Sequence, residues 1–285
     1  MLTQLITSLR KIYWRHKFVQ LSQRITQTPA LACRASAPVE IHTLTGAKGV
    51  YLYLAAIKSF LRYCSDVAVV VHDDGSLSRR HHQLLREHIR GIRVLRKEEA
   101  DSRMAVVLKS FPKCQQYRRN CLMGLQLFDY ALLADAERII SLDSDTLFLS
   151  EPDQIISWIK DPQYDVLYSV EASPWDPSGL IAKNGGLGDL NGGFLCLNRN
   201  IVKLSVVEEI LGGEAEFTWW TGQCCFNIIC KRQGHHGAFA LNPVTYQNVR
   251  SISEGAVFRH YFGSSGAFKV YYSDLLQMIN DLING

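Results

Sequence analysis

The chain has 285 residues, 47% of them hydrophobic and 20% charged, which supplies one sizeable core and excludes the composition of a disordered segment. A formal net charge of only +4, with no zinc-finger or RNA-recognition pattern, argues against nucleic acid as a partner. None of the eight cysteines forms a C-x-x-C pair, and no signal-peptide pattern or bilayer-length apolar run is present, so the expected setting is a reducing, cytoplasmic one.

In chain order, residues 1–38 form a basic arm: Arg10, Lys11, Arg15, Lys17, Arg24 and Arg34 all precede the first acidic residue, Glu40. Leu2, Leu5, Ile6, Leu9, Ile12 and Tyr13 fall on one helical stripe, and Trp14, Phe18, Leu21 and Ile25 on a second, rotated one. The arm is expected to fold as an amphipathic helix and to make peripheral contact with an anionic membrane surface. The competing reading packs one or both stripes on the domain that follows.

Residues 39–285 alternate strand and helix signals, which predicts a single α/β domain with a mostly parallel, Rossmann-like sheet and helices on both faces. Val39–Thr45 reads as a strand, Leu52–Tyr63 as a helix and Val67–Val71 as a buried strand. His72-Asp73-Asp74-Gly75 reads as a turn; Ser76 or Ser78 then caps a helix through Leu84, Leu85 and Ile89, and Ile92–Leu95 offers a short strand. No G-x-G-x-x-G or Walker pattern appears, so a nucleotide has to be held by other means. A long helical region from Gln115 to Ala134 leads into a strand at Arg138–Leu142, and residues 170–190, with three close glycines and Trp175, read as a long irregular loop. A strand at Phe194–Leu197, helices at Ile201–Ile210 and Trp219–Lys231, a strand at Val257–Tyr261 and a helix after Ser273 complete the pattern.

The strongest chemical signal is Asp143-x-Asp145 at the end of an apolar strand. Positions i and i+2 of a strand point the same way, and the carboxyl ends of strands form the ligand crevice of open α/β sheets, so both carboxylates can face one site. Two like charges there call for a hard divalent cation with open positions for phosphate oxygens. An isolated D-x-D also reads as a surface turn.

Four blocks in order carry a wider resemblance: Arg138-Ile-Ile-Ser-Leu-Asp-Ser-Asp-Thr-Leu-Phe148, Leu190-Asn-Gly-Gly-Phe-Leu-Cys-Leu-Asn198, Gly222-Gln-Cys-Cys-Phe-Asn227 and His260-Tyr-Phe-Gly263. From Val39 to Lys269 the chain resembles the retaining GT-A glycosyltransferases of the glycogenin and bacterial lipooligosaccharide galactosyltransferase type, family 8 and its relatives. The resemblance implies a GT-A fold and transfer of a sugar from a nucleotide diphosphate sugar, with UDP as the expected nucleotide, to an acceptor hydroxyl with retention of configuration. Asp143, Asp145 and His260 match its metal ligands, a set that suits Mn²⁺ with Mg²⁺ as the alternative. Asn191 and Gln223 match its residues at the donor sugar and reacting carbon, with Asn227 one helical turn further on. Asp143, Gly192, Thr43, Thr45, Asp73 and Lys269 are the corresponding candidates for contact with the donor nucleotide. The acceptor, whether glycan, lipid or small molecule, is not specified.

The chain departs from the family pattern in three places. Gly222 stands where Asp commonly precedes the glutamine, Gln126 stands at the usual basic residue with Arg118 or Arg119 as substitutes, and Lys269 is displaced from the lysine that usually follows the histidine block closely. Trp219 and Trp220 are left outside the site, because adjacent helical residues face different directions. Two other readings are a haloacid dehalogenase-like phosphatase, with Gly188-Asp189 as its later acidic motif, and a non-catalytic peripheral membrane protein with a degenerate GT-A fold.

Overall fold

In the computed structural model, the described residues are 2–171, 176–213, 216–248, 252–262 and 267–285, with the side chains of 2–11, 15 and 267 also outside the description. Trp175, Gly263 and the side chains of Leu2, Leu5, Ile6 and Leu9 therefore lie outside the described residues. A seven-stranded sheet runs, edge to edge among those residues, Ala238–Ala240, Val166–Val170, Leu190–Asn198, Arg138–Leu142, Val39–Thr45, Ala68–Asp73 and Arg93–Leu95. Every pairing is parallel except those of Leu190–Asn198, which runs antiparallel to both neighbours.

Successive strand residues feed opposite faces, as the period of two requires. Ile140, Phe194 and Cys196 enter one core with the helices Val50–Leu61, Asp153–Lys160 and Ala267–Asn284. Ile139, Leu195 and Leu197 enter the other with Pro112–Asn120, Leu122–Leu132 and Thr221–Gln233. Both faces of the sheet are therefore covered.

The expected helix from Gln115 to Ala134 is in fact two, broken at Cys121, whose backbone is extended (φ −132°, ψ 129°). Gly124 explains the break: a β-carbon there would lie 2.6 Å from Arg118 Cα, so the two helices cross backbone against backbone. The 170–190 region also carries order that its composition concealed, a short helix at Leu180–Asn184 and the start of the strand Leu190–Asn198.

The arm folds as the helix Leu2–Gln23, and its second stripe packs on the domain. Phe18 and Leu21 are buried, and the Phe18 ring lies 4.4 Å from that of Tyr271 and 5.6 Å from that of Phe268 on the C-terminal helix. From the first stripe, Ile12 and Tyr13 are exposed. No described helix is long and apolar enough to cross a membrane.

Candidate functional site

Asp143 follows the strand Arg138–Leu142, and Asp145 sits in the turn that leads into a second strand, Thr146–Phe148. The two carboxylates therefore converge through a turn and not through strand alternation. That turn is pinned: Thr146 Oγ1 donates to Asp143 O (2.7 Å), Asp143 N–H to Gly193 O (3.0 Å) and Tyr261 N–H to Asp145 O (2.9 Å). Strand Phe258–His260 runs antiparallel to Thr146–Phe148 with His260 directly opposite Thr146, and this register sets the imidazole beside the acidic pair.

One ligand atom from each of Asp143, Asp145 and His260 lies within 4.8 Å of the others. His260 Nε2 is 3.3 Å from Asp145 Oδ1 and 3.7 Å from Asp143 Oδ2. The hydrogen-bond chain behind it fixes which nitrogen faces the acids. Glu171 Oε2, a carboxylate acceptor, takes the Asn191 Nδ2–H (2.7 Å), so Asn191 Oδ1 must face Gly193 N–H (2.9 Å) and His260 Nδ1 (2.9 Å). Nδ1 thus carries a proton, and Nε2 points at the carboxylates.

Electrostatics agree with a site short of positive charge. Burial acts on Asp143 most strongly and, with the Asp145 charge, pushes it up to about 6 against the pull of His260 and Gln126. Burial opposes ionisation of Asp145 too, but His260 holds it below the ordinary carboxylate range. His260 loses by burial and gains more from Asp145 and Asp143, so its pKa lies above the usual histidine value. A divalent cation fits this donor set: two mutually repelling carboxylates and an outward-facing imidazole nitrogen, open to a cavity.

That cavity, of about 290 Å³, brings Asp143, Asp145, His260, Asn191, Gly192 and Gln223 together with Gln126 and Glu171, and with Met123, Gly193, Trp219, Trp220, Phe226 and Phe262. Gln223, in the first turn of Thr221–Gln233, accepts Gly192 N–H at Oε1 (3.2 Å). Asn227 accepts from Gly188 and Leu190 N–H, which secures the entry to the Asn191 strand. Asn-Gly-Gly lies inside that strand and is not a turn before it.

Four donor candidates lie elsewhere. Thr43 is buried and donates to Leu142 O (2.7 Å), and Asp73 is buried and accepts Gly75 N–H (2.8 Å), Leu77 N–H (3.1 Å) and His82 Nε2 (3.0 Å). Thr45 pairs in register with Asp73 at the carboxyl end of the sheet, and its buried hydroxyl has no partner among the described residues. Lys269 is exposed on the first turn of the C-terminal helix.

The structure bears on two of the three departures from the pattern, those at Gln126 and Gly222. Gln126 reaches the site itself, donating to Asp143 Oδ1 and Ser141 Oγ (3.1 Å each). Arg118 does not replace a basic residue there, because its guanidinium clasps Asp129 (2.7 and 2.8 Å) and Asp101 (2.8 Å). Gly222 has no room for a carboxylate: a β-carbon would meet Tyr117 Oη at 2.9 Å and Met123 Cβ at 3.3 Å.

Glu171 and the tryptophan pair are site residues that the sequence reading missed. Glu171 follows the strand Val166–Val170, whose short apolar run ending in an acid repeats the logic of Asp143. Trp219 and Trp220 both line the cavity because the helix begins only at Thr221, so helical divergence does not separate them.

A mixed sheet with one reversed strand, an acidic turn at its carboxyl edge and a small three-stranded mixed sheet supplying the histidine define the GT-A fold of glycosyltransferases. Solved structures sharing it include the apo form of mouse xyloside xylosyltransferase 1, with TM-score 0.52 and 12% identity over 81% of this chain and 97% of that one. They also include the galactosyltransferase LgtC, as an active-site mutant (0.56, 14%, 84% and 95%) and in complex with donor and acceptor sugar analogues (0.52, 13%, 85% and 95%). No family model and no curated protein sequence matches the chain. At such identities the likeness establishes the fold, and the activity has to be argued from the site.

Proposed function

We propose that the chain is a divalent-cation-dependent glycosyltransferase that moves a sugar from a nucleotide diphosphate sugar, by resemblance a UDP-sugar, to an acceptor hydroxyl with retention. The observation that carries this reading is the convergence of Asp143, Asp145 and His260 on one cavity at the edge of a GT-A sheet. A cation held there, Mn²⁺ or Mg²⁺, supplies Lewis-acid stabilisation of the departing diphosphate.

The chain's own residues do the rest. Asn191, its amide oriented by Glu171, holds His260 with Nε2 outward, while Gly192 and Gly193 bring the backbone close to the sugar. Gln223 has no ionisable group and cannot act as a base; it orients the sugar or acceptor at the reacting carbon. Transfer then follows a front-face course. The bond from the anomeric carbon to the phosphate oxygen breaks with its electron pair on that oxygen, the acceptor oxygen bonds to the anomeric carbon from the same face, and its proton passes to the departing phosphate. Thr45, Thr43, Asp73 and Lys269 are retained as proposed donor contacts, of which Thr45, with its unpartnered hydroxyl, is the strongest.

The phosphatase alternative loses its second acidic element, since Asp189 accepts from Tyr168 Oη (3.0 Å) and does not line the cavity. Peripheral membrane contact remains part of the proposal, through the exposed arm residues Ile12, Tyr13 and Lys17. The test is a panel of sugar nucleotides assayed with and without Mn²⁺ for nucleoside diphosphate release, followed by proton NMR of the product. Cation-dependent release and a product of the donor's anomeric configuration are expected; release independent of added cation, or an inverted product, overturns the reading.

A further inference from the structure

We propose that the N-terminal arm positions the acidic trio: Phe18, docked on the C-terminal helix, holds Tyr271 against Tyr261 and so fixes the segment that carries His260 and meets the Asp145 turn. This rests on the glycosyltransferase reading in taking the trio as a cation site. It adds positioning residues, Phe18 and Tyr271, that lie outside Val39–Lys269, the segment of the family resemblance.

Three rings connect the arm to the trio. The Phe18 ring is 4.4 Å from that of Tyr271 and tilted 44° to it. Tyr271 in turn stacks on Tyr261, with 3.9 Å between the centroids and 5° between the planes. Tyr261 follows His260 directly and its N–H donates to Asp145 O (2.9 Å), so one residue is tied to two of the three candidate ligands. The C-terminal helix also holds both sequence neighbours of His260: Asp274 Oδ2 accepts from Tyr261 Oη (2.6 Å) and from Arg259 Nη1 (2.7 Å). Asp274 is one helical turn from Tyr271, so both move with the helix. The arm grips that helix a second time through Trp14, whose ring is 5.6 Å from that of Tyr272.

The contrasting role for the arm is apolar burial with no bearing on the site. Tyr271 speaks against it. Its hydroxyl is buried without a hydrogen-bond partner among the described residues, so the ring is placed by the side chains packed on it, Phe18 and Tyr261 among them. Removing the Phe18 ring opens space on the arm side, and a close-packed interior relaxes into such space. Tyr271 then moves away from Tyr261, and the backbone that bears His260 loses its support. The Tyr271 phenol is already within electrostatic reach of the site: burial raises its pKa most, and the Asp145 charge raises it further.

Mn²⁺ titration of the full chain, followed by electron paramagnetic resonance, tests this in the graded series Phe18→Leu, Phe18→Val and Phe18→Ala. Circular dichroism checks that each variant folds. Mn²⁺ affinity is expected to fall in that order, to about a tenfold loss in Phe18→Ala, the low end for residues that support a metal ligand, with Phe18→Leu keeping most of it. Phe18→Val shows the same loss in smaller measure should Phe18→Ala fail to fold. Ile210→Ala empties a buried position on the helix Leu204–Gly212 in the opposite core, and should lose stability while binding Mn²⁺ as the wild type does. Wild-type affinity in the Phe18 variants that fold, or an equal loss in Ile210→Ala, overturns the proposal. A wild-type chain that binds no Mn²⁺ overturns the parent reading and this proposal together, whereas wild-type binding and donor turnover that ignore Phe18 overturn this proposal alone.

Discussion

Gly193→Ala offers a steric test of the metal site that leaves all three ligands chemically intact. A β-carbon at 193 would stand 2.2 Å from His260 Nδ1, 2.3 Å from Cε1 and 2.7 Å from Cγ, whereas ordinary contact begins near 3.4 Å. The backbone cannot yield, because Gly193 lies inside the strand Leu190–Asn198, its N–H is held by Asn191 Oδ1 and its carbonyl by Asp143 N–H. The imidazole must therefore move by more than 1 Å, which breaks the Asn191 bond that orients it. Losing such an orienting partner weakens metal binding about 10–100-fold, or about 1.4–2.8 kcal/mol. Overpacking adds about 1–3 kcal/mol of destabilisation. Gly192→Ala is the control, since its β-carbon meets only Gln223 Oε1, at 3.3 Å, and leaves the imidazole alone. Mn²⁺ titration followed by electron paramagnetic resonance should separate the two variants, with circular dichroism confirming that both fold. Wild-type Mn²⁺ affinity in Gly193→Ala would refute the assignment of His260 as a ligand.

Asp145→Ala is expected to abolish cation-dependent nucleoside diphosphate release while leaving the circular dichroism spectrum unchanged, because the half-buried carboxylate is a proposed ligand outside the core. Gln223→Ala should lower kcat far more than it raises donor KM in steady-state assays, as expected of a group that acts at the reacting carbon. Protons compete with the cation at Asp143, raised to about 6, and at His260, raised above its usual value, so Mn²⁺ affinity should climb as pH rises through about 6 and keep climbing past the usual histidine range, as titrations at fixed ionic strength would show. Without cation the raised Asp143 pKa has the opposite consequence for folding: its contribution favours the folded state as pH falls through about 6 and opposes it above, which thermal melts in chelator would register. For the arm, Ile12→Glu with Tyr13→Glu should remove low-salt pelleting with anionic liposomes at unchanged melting temperature, whereas a chain starting near Ala37 should melt lower because Phe18 and Leu21 leave the core.

Much of the architecture was legible because it rests on local pattern. Val39–Thr45 and Arg138–Leu142 have the bounds that the sequence predicts, although buried polar residues such as Glu40, His42 and Ser141 interrupt their apolar positions. Asp143, Asp145 and His260 were legible as residue types in context, although their convergence comes from a turn and a strand register that no periodicity encodes. What escaped the sequence is tertiary. The break at Cys121 depends on Gly124 meeting another helix, and the fate of Thr43 depends on a carbonyl 99 positions away. Glu171 was hidden by a strand too short to stand out from the glycine-rich stretch that follows it. The tryptophan pair was misplaced by two residues of uncertainty in a helix start, the scale on which boundaries ordinarily slip.

The central claim is that Asp143, Asp145 and His260 together hold a divalent cation against a donor diphosphate. Crystals of the full chain grown with Mn²⁺ and UDP, with diffraction recorded above and below the manganese absorption edge, test it most directly. The account predicts one anomalous peak coordinated by both carboxylates and by His260 Nε2, with diphosphate oxygens completing the shell. Bound UDP with the manganese peak elsewhere, or with no peak at this trio, would contradict it.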